Sequence, residues 1–213
     1  MEKNVVRYYV LCNKLKKVIR TGWLDWNIKS DRIESVAEHI YSTLMLAISM
    51  YSEFNYKLDL SKVLYMLAVH ELEEIFIGDL TMFQIDREEK KKMGHEAVSK
   101  ILSGLKKKDE IMNLVLEFDE RETEEAKFAY LCDKLDADIL ARIYDLENPV
   151  DLNNQDNNDT YKDSRVQELL SEDNSFSRMW LLFGQKTYPY DENFLRVSNY
   201  ALNNNILEVE DED

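Results

Sequence analysis

The segment VHELEEIFIGDLT, residues 69–81, places a histidine and several glutamates on a predicted helix that is otherwise apolar. At about 100° per residue, Glu71 and Glu74 fall on the same stripe as the apolar residues before them, and His70 lies at its edge. The other sides of this predicted helix are also apolar, which is typical of a helix inside a domain. Burying a carboxylate inside a domain costs free energy unless a partner for its charge is present. The segment therefore predicts a bound metal ion, an Arg or Lys counter-ion, or a solvated cleft.

The composition of the chain predicts an all-α fold. Among 213 residues there are only five Gly and two Pro, and residues that favour helices occur in long runs. No strand, glycine-rich loop and helix follow one another as in a βαβ unit. We expect one all-α domain over residues 1–207, a single helical bundle with additional C-terminal helices, followed by an acidic tail at 208–213.

Helical periodicity and capping residues predict where the helices lie. Asp59, Asp86 and Thr123 each stand where a side chain caps a helix N-terminus. The predicted helices cover residues 3–19, 34–53, 59–78, 86–105, 109–119, 123–147, 162–183 and 191–203. A basic loop is expected at 19–35, and an exposed, mobile loop at 151–164, where Asn and Asp are frequent.

The net charge limits the classes of partner that the chain is expected to bind, and the cysteines indicate its cellular compartment. A net charge of −15 disfavours binding to nucleic acid or to an anionic membrane, although a local Arg or metal still allows phosphate monoesters to bind. Cys12 and Cys132 form no disulfide or zinc pattern, so reduced thiols are expected. No signal peptide or membrane-spanning run is found. We therefore expect a soluble cytoplasmic protein.

The histidines are the first candidate metal ligands. Position 74 is Glu, which excludes an H-E-x-x-H zinc helix, so His70 needs ligands from other segments. His39 lies on an apolar stripe of the predicted helix at 34–53, whereas His95 lies among lysines and is expected to be solvated. A buried His is often a core residue, but a second buried His in His70 favours a metal site.

Two later carboxylates are candidates for a further ligand. Asp133 and Asp136 share an apolar face of the helix predicted at 123–147. They are expected either to bind a metal or to form buried ion pairs with Lys134 or Arg142. Spacing alone does not choose between the two acids.

Four segments together resemble a known family. His39, the doublet His70-Glu71 and Asp133 resemble the H…HD…D signature of the HD-domain metal-dependent phosphohydrolases. The flanking sequences resemble its 5′-deoxynucleotidase branch, and they are RTGW at 20–23, ESVAEH at 34–39, HELEEIFIGDLT at 70–81 and EAKFAYLCDKLDA at 125–137. The resemblance covers about residues 10–145 in the same order, and it implies an HD-domain helical bundle.

The resemblance also implies roles for individual residues. The implied metal ligands are His39, His70, Glu71 and Asp133, and one divalent ion, Mn, Co, Fe or Zn, is the implied cofactor. Glu74 and Asp79 are implied as catalytic acids, Arg20 as a phosphate contact and Trp23 as a residue of the sugar pocket. The chain departs from the family at Glu71, where the family usually has Asp, and the extra methylene moves the carboxylate by roughly 1.5 Å.

The function that the resemblance implies is release of phosphate from nucleoside 5′-monophosphates, with deoxy forms preferred, by a homodimer. One alternative is a catalytically weak HD-domain protein that binds metal or nucleotide as a sensor or scaffold, which the departure at Glu71 favours. Another is an HD phosphohydrolase for a different phosphoester, such as a cyclic nucleotide or a nucleoside triphosphate.

Overall fold

The computed structural model describes residues 1–81 and 84–208, apart from the side chain of Arg87, and its regular elements are helices. In chain order they are α1, Glu2–Cys12; a 3₁₀ helix, Asn13–Lys17; α2, Thr21–Asp25; α3, Val36–Glu53; α4, Leu60–Val69; α5, Glu74–Ile77; α6, Arg87–Leu102; α7, Lys108–Glu120; α8, Glu124–Glu147; α9, Asp159–Lys162; α10, Ser164–Glu172; α11, Phe176–Thr187; and α12, Glu192–Asn203. An isolated antiparallel bridge joins Ile19 to Ser35. The all-α prediction is confirmed.

The helices form two compact units. The first contains Met1–Gly22 and Ile33–Cys132, and the second contains Trp23–Arg32 and the chain from Asp133 onward. The boundary near the middle of the chain falls inside α8, which is continuous from Glu124 to Glu147.

The first unit is built around α3, α4, α6 and α7, which contact one another through apolar side chains. Its core consists of Leu15, Val36, Val69, Leu72, Ile75, Val98, Ile101, Leu102, Ile111 and Val115. Removing these side chains from water supplies the main driving force for this unit to fold. The core fixes α3 and the end of α4, which carry the candidate metal ligands.

Local capping interactions begin the helices where the sequence predicts them. The side chains of Asp59 and Asp86 accept backbone N–H bonds at the starts of α4 and α6, and Thr123 does the same for α8. α3 begins with a capping box that the sequence analysis did not identify, in which Ser35 and Glu38 satisfy each other's backbone N–H groups. Each cap provides acceptors for N–H groups that have no partner within the helix.

The helix predicted from Asp59 to Gly78 is divided in the structure. α4 ends before His70, and the backbone then tightens, because the N–H groups of Leu72 and Ile75 donate to carbonyls three residues earlier. α5 follows and ends at Gly78, whose φ of 73° lies in the left-handed region that favours glycine. The prediction of one continuous helix was wrong, and the tight turn carries the His70-Glu71 doublet.

The second unit contains a cluster of aromatic rings. Trp26 is fully buried and lies 4.9 Å from Phe176 and 6.0 Å from Trp180, measured between ring centroids. Trp23 joins the same cluster from α2, a short helix inside the segment that was predicted as a basic loop. Aromatic rings of this size bury large apolar areas, so the cluster holds residues 23–32 in this unit.

The loop predicted as exposed at 151–164 is partly buried. The amide of Gln155 donates to the carbonyl of Trp26 at 3.1 Å, and the amide of Asn158 donates to Gln155 at 2.9 Å. The Asn158 side chain also caps α9, so its burial leaves few polar groups unpaired. The single helix predicted after this loop is divided into α10 and α11, because Ser175 caps α11.

Three other expectations concern the whole chain. Of the acidic tail predicted at 208–213, the residues after Glu208 lie outside the described residues. Among the residues that the structure describes, none of the helices combines the length and the apolar character needed to cross a bilayer. The prediction of one domain over residues 1–207 stays a prediction.

Candidate metal centre and active site

His70 is buried at the end of α4 with one ring nitrogen already engaged. Its Nδ1 lies 2.7 Å from the carbonyl oxygen of Leu67. A carbonyl can only accept a hydrogen bond, so Nδ1 carries a proton, and in the neutral imidazole Nε2 then keeps its lone pair. A backbone carbonyl on the second nitrogen is a common way of orienting a metal-binding His.

His39 and Glu71 complete a compact set of donors in the first unit. His39 is fully buried on α3, and its ring lies 5.6 Å from that of His70 between centroids. One oxygen of Glu71, Oε1, lies 3.8 Å from His39 Nε2 and 3.6 Å from His70 Nε2. The three side chains offer ligand atoms within 4.8 Å of one another. Two imidazoles and a carboxylate are donors that suit a divalent transition metal, so these residues fit the implied ion.

Arg20 lies beside two of the candidate carboxylates. Its Nη1 is 3.6 Å from Glu71 Oε1, and its Nε is 3.9 Å from Asp79 Oδ2. Thr21 attaches the same segment to Asp79, with its N–H donating to Oδ2 at 2.7 Å and its hydroxyl donating to the backbone carbonyl at 2.5 Å. Arg20 therefore pairs with acids in this structure, as the counter-ion alternative predicts, and presents a planar cation beside the donor set.

Glu74 is a buried acid with an unsatisfied oxygen. The residue is 1% exposed, and its Oε2 has no hydrogen-bond partner among the described residues. Burial, together with the charges of Glu71 and Asp79, raises the pKa of Glu74 to about 11, against the opposing effect of Arg20 and Lys90. A divalent cation beside Glu71 would offset these acidic charges and lower the pKa of Glu74 again.

Two residues of this region escaped the sequence analysis. Glu73 is half-buried with its side chain close to Gly94, and desolvation with the charge of Glu71 raises its pKa to about 8. Lys90 on α6 donates to the carbonyl of Leu80 at 2.7 Å, and its Nζ lies 3.9 Å from Glu74 Oε1. Neither gives a signal in the sequence, because Glu73 is one of an acidic pair and Lys90 one of three consecutive lysines.

The two later carboxylates lie in the second unit. Asp133 is buried and forms an ion pair with Lys134 at 2.8 Å, which is the pairing that the ion-pair alternative predicts. Asp136 is also buried. Two residues beyond Asp136 on α8, Asp138 accepts a hydrogen bond from the Tyr190 hydroxyl at 2.8 Å. The role of Asp133 as a metal ligand stays a prediction.

Trp23 is 2% exposed and packs among aromatic rings of the second unit. Its ring lies 5.2 Å from Trp180 and 5.4 Å from Tyr144 between centroids. This packing is typical of a hydrophobic anchor. The predicted contact of Trp23 with a substrate sugar stays a prediction.

His95 is not the solvated residue that the sequence predicted. Its Nε2 lies 2.6 Å from Asp119 Oδ2, and its side chain is 25% exposed. A carboxylate on the facing helix α7 is a partner that lysine-rich neighbours in the sequence do not reveal. His95 therefore serves to connect α6 to α7.

Comparison with known proteins identifies the class to which this fold and donor set belong. A family model described as HD domain matches residues 12–173, and the chain therefore belongs to the HD-domain family. Among curated relatives, a 5′-deoxynucleotidase HDDC2 from Dictyostelium discoideum is 30% identical over 70% of this chain and 84% of its own. The human 5′-deoxynucleotidase HDDC2 is 29% identical over 68% of this chain and 71% of its own.

Solved structures share the fold. A protein from Pyrococcus horikoshii matches with a TM-score of 0.66 and 22% identity, and covers 92% of this chain and 98% of its own. A protein from Magnetospirillum magnetotacticum, described as a predicted metal-dependent phosphohydrolase, matches with a TM-score of 0.59 and 19% identity over 93% of this chain and 95% of its own. At these identities the likeness concerns the fold alone.

Proposed function

We propose that this HD-domain protein is a metal-dependent phosphohydrolase that releases phosphate from nucleoside 5′-monophosphates and prefers the deoxy forms. The observation that carries the proposal is the buried set of His39, His70 and Glu71, in which two imidazole nitrogens face one carboxylate oxygen. The relatives named 5′-deoxynucleotidase support the substrate class.

The proposed cofactor is one divalent ion, Mn, Co, Fe or Zn, held by His39, His70, Glu71 and Asp133. When bound, such an ion polarises a phosphoryl oxygen and lowers the pKa of a coordinated water. The Nδ1 proton of His70, donated to a backbone carbonyl, supports this assignment because it makes Nε2 the metal-binding nitrogen of the neutral imidazole. Asp133 is proposed as a ligand from the family signature, and its burial on α8 is compatible with that role.

The side chains of this chain have distinct proposed tasks. Arg20 offers a planar guanidinium that binds two phosphate oxygens at once. Glu74 holds a proton and delivers it to the leaving 5′-oxygen, a task that suits a buried carboxyl of raised pKa. Asp79, fixed by Thr21, keeps Arg20 oriented and acts as the second catalytic acid. Trp23 is proposed to border the sugar.

The proposed setting is a cytoplasmic homodimer that does not bind nucleic acid or membranes. Cys12 and Cys132 are not joined in a disulfide, which suits a reducing compartment. The net charge of −15 repels a phosphate backbone. The homodimer rests on the family resemblance alone.

A second candidate function is a sensor or scaffold that binds metal or nucleotide without turnover. The contact of Arg20 with Glu71 at 3.6 Å favours it, because a carboxylate neutralised by arginine has less need of an ion. The test is a phosphate-release screen over nucleoside mono-, di- and triphosphates and cyclic nucleotides with each of the four metals. Release from deoxynucleoside monophosphates supports the enzyme. Binding without release by any metal supports the sensor.

A further inference from the structure

The ammonium group of Lys90 occupies an unusual position for a residue in a run of lysines. Lys90 lies in the first turn of α6, and its side chain reaches ten residues back to donate to the carbonyl oxygen of Leu80 at 2.7 Å. The same Nζ lies 3.9 Å from Oε1 of the buried Glu74. The Lys90 side chain is only 30% exposed, whereas the nearby Lys92 is exposed to solvent. One charged group therefore touches both the chain after Asp79 and the carboxylate of Glu74.

The short segment from Gly78 to Leu80 is held from two sides. On one side, Thr21 donates its N–H to the carboxylate of Asp79 and its hydroxyl to the Asp79 carbonyl. On the other side, Lys90 binds the carbonyl of Leu80, the next residue. Gly78 has a positive φ and ends α5, so no helical hydrogen bonds continue into this segment. Side-chain anchors therefore fix the place of Asp79.

We propose that Lys90 is a positioning residue that holds the Asp79–Leu80 segment against Glu74 and so fixes the separation of the two acids. The proposal rests on the proposed function, in which Glu74 and Asp79 are the catalytic acids. Lys90 acts on both groups, because its hydrogen bond places the Leu80 backbone and its ammonium group lies 3.9 Å from the Glu74 carboxyl oxygen. A misplacement of about 1 Å at such groups can lower turnover by about 100-fold.

The test compares Lys90→Met, Lys90→Arg and the control Lys92→Met, each as the metal-loaded protein. Lys90→Met keeps the length of the side chain and removes its donor and charge. We expect it to lower kcat for a deoxynucleoside monophosphate by about 10- to 100-fold, with KM within about threefold and metal content unchanged. Lys90→Arg should recover most of kcat, since it restores a cationic donor, and Lys92→Met should match wild type.

A second measurement separates this proposal from the proposed function. Hydrogen–deuterium exchange of the metal-free protein should show faster exchange in residues 74–81 for Lys90→Met and wild-type exchange for Lys92→Met. Unchanged exchange, unchanged kcat, or a folded Lys90→Arg as impaired as Lys90→Met would overturn the role of Lys90. A wild type without turnover in any metal would refute the proposed function, and the exchange data would then decide whether Lys90 anchors the segment.

Discussion

The guanidinium of Arg20 lies 3.6 Å from the carboxylate oxygen of Glu71 that also faces His39 and His70. The same oxygen therefore has a guanidinium and two imidazoles within 3.8 Å. Glu71 stands where the HD signature usually has Asp, and its longer side chain extends the reach of this oxygen by roughly one bond length. Whether the Glu71 carboxylate serves an ion or only Arg20 is the central question for this site.

Removal of the Glu71 charge tests its role as a ligand. Glu71→Gln should weaken binding of Mn²⁺ by at least about tenfold, because an amide oxygen is a poorer ligand than a carboxylate. Calorimetric titration of the metal-free protein measures this change. Glu88→Gln, an exposed position on α6, is the matched control and should bind as wild type does. Equal affinity in Glu71→Gln and wild type would leave Glu71 as a partner of Arg20 alone.

The buried carboxyl of Glu74 gives a second prediction. Glu74→Gln should keep the fold and the metal, because an amide replaces a carboxyl of similar size, while turnover falls by about 10²–10⁴-fold. Steady-state kinetics together with elemental analysis of the same sample measure both quantities. A variant that loses metal along with activity would make Glu74 a ligand instead of a proton donor.

The raised pKa of the buried Asp138 carboxyl leads to a prediction of how the stability of the protein depends on pH. Burial raises the pKa of Asp138 well above 3.8, despite its hydrogen bond from Tyr190. Because the pKa of Asp138 is higher in the folded than in the unfolded protein, the stabilisation that this carboxyl contributes is fully present below its unfolded-state pKa. It is lost as the pH rises through the folded-state pKa. Relative to Asp138→Asn, the wild type should therefore lose stability from pH 5 to pH 8, by at most about 1.4 kcal/mol per pH unit.

Urea unfolding of both proteins, with metal removed by chelation, measures this difference. Asp163→Asn is a suitable control, since hydrogen bonds to Arg165 lower the pKa of Asp163 to about 2 and keep it ionised throughout. Its stability difference from wild type should be the same at pH 5 and pH 8. A constant difference for Asp138→Asn as well would mean that this carboxyl does not titrate in the range.

Gly184 supplies a prediction about packing around the same carboxyl. A Cβ added at Gly184 would overlap the carboxylate of Asp138, whereas a Cβ at Gly22 would meet no atom within 4 Å. Gly184→Ala should therefore destabilise the protein by about 1–3 kcal/mol through overpacking. Gly22→Ala should be neutral or slightly stabilising in its helix. Denaturant unfolding of the two variants tests this, and equal stabilities would contradict the tight packing at Gly184.

The sequence predicted the helices where the signal is local. Asp59, Asp86 and Thr123 cap helices because each side chain reaches an N–H group only two or three residues away. The predictions failed where the determining contact is distant. Gln155 is buried because the carbonyl of Trp26, 129 residues earlier, accepts its amide, and no periodicity in the loop encodes that partner.

The same distinction applies to the candidate site. His39 and His70 were identified because each interrupts an apolar stripe, and the structure brings their rings together. Apolar periodicity continues through the doublet at 70–71, so it gave no sign of the tight turn there. Glu73 and Lys90 were missed because composition cannot show which member of an acidic or basic run faces the interior. The metal and catalytic roles of the site residues predicted from the sequence remain predictions.

The last prediction concerns Trp23 and the choice of sugar. If Trp23 borders the substrate, a ribose 2′-hydroxyl facing its ring would lack a partner at a cost of about 1–3 kcal/mol. That cost corresponds to a deoxy preference of roughly 5- to 150-fold. Because Trp23 is almost fully buried, removal of its whole side chain would cost about 3–5 kcal/mol of stability, so Trp23→Phe is the better probe.

Trp26→Phe is the matched control for Trp23→Phe. Trp26 is equally buried in the same aromatic cluster, and its indole Nε1 has no hydrogen-bond partner among the described residues, so the change removes ring volume alone. Both variants should lose similar stability, measured by urea unfolding. Only Trp23→Phe should lower the ratio of kcat/KM for deoxyribo- over ribonucleoside monophosphates, since only Trp23 is proposed to face the sugar. A ratio that stays at the wild-type value, or falls equally in both variants, would make Trp23 a hydrophobic anchor, as its contacts with Trp180 and Tyr144 already allow.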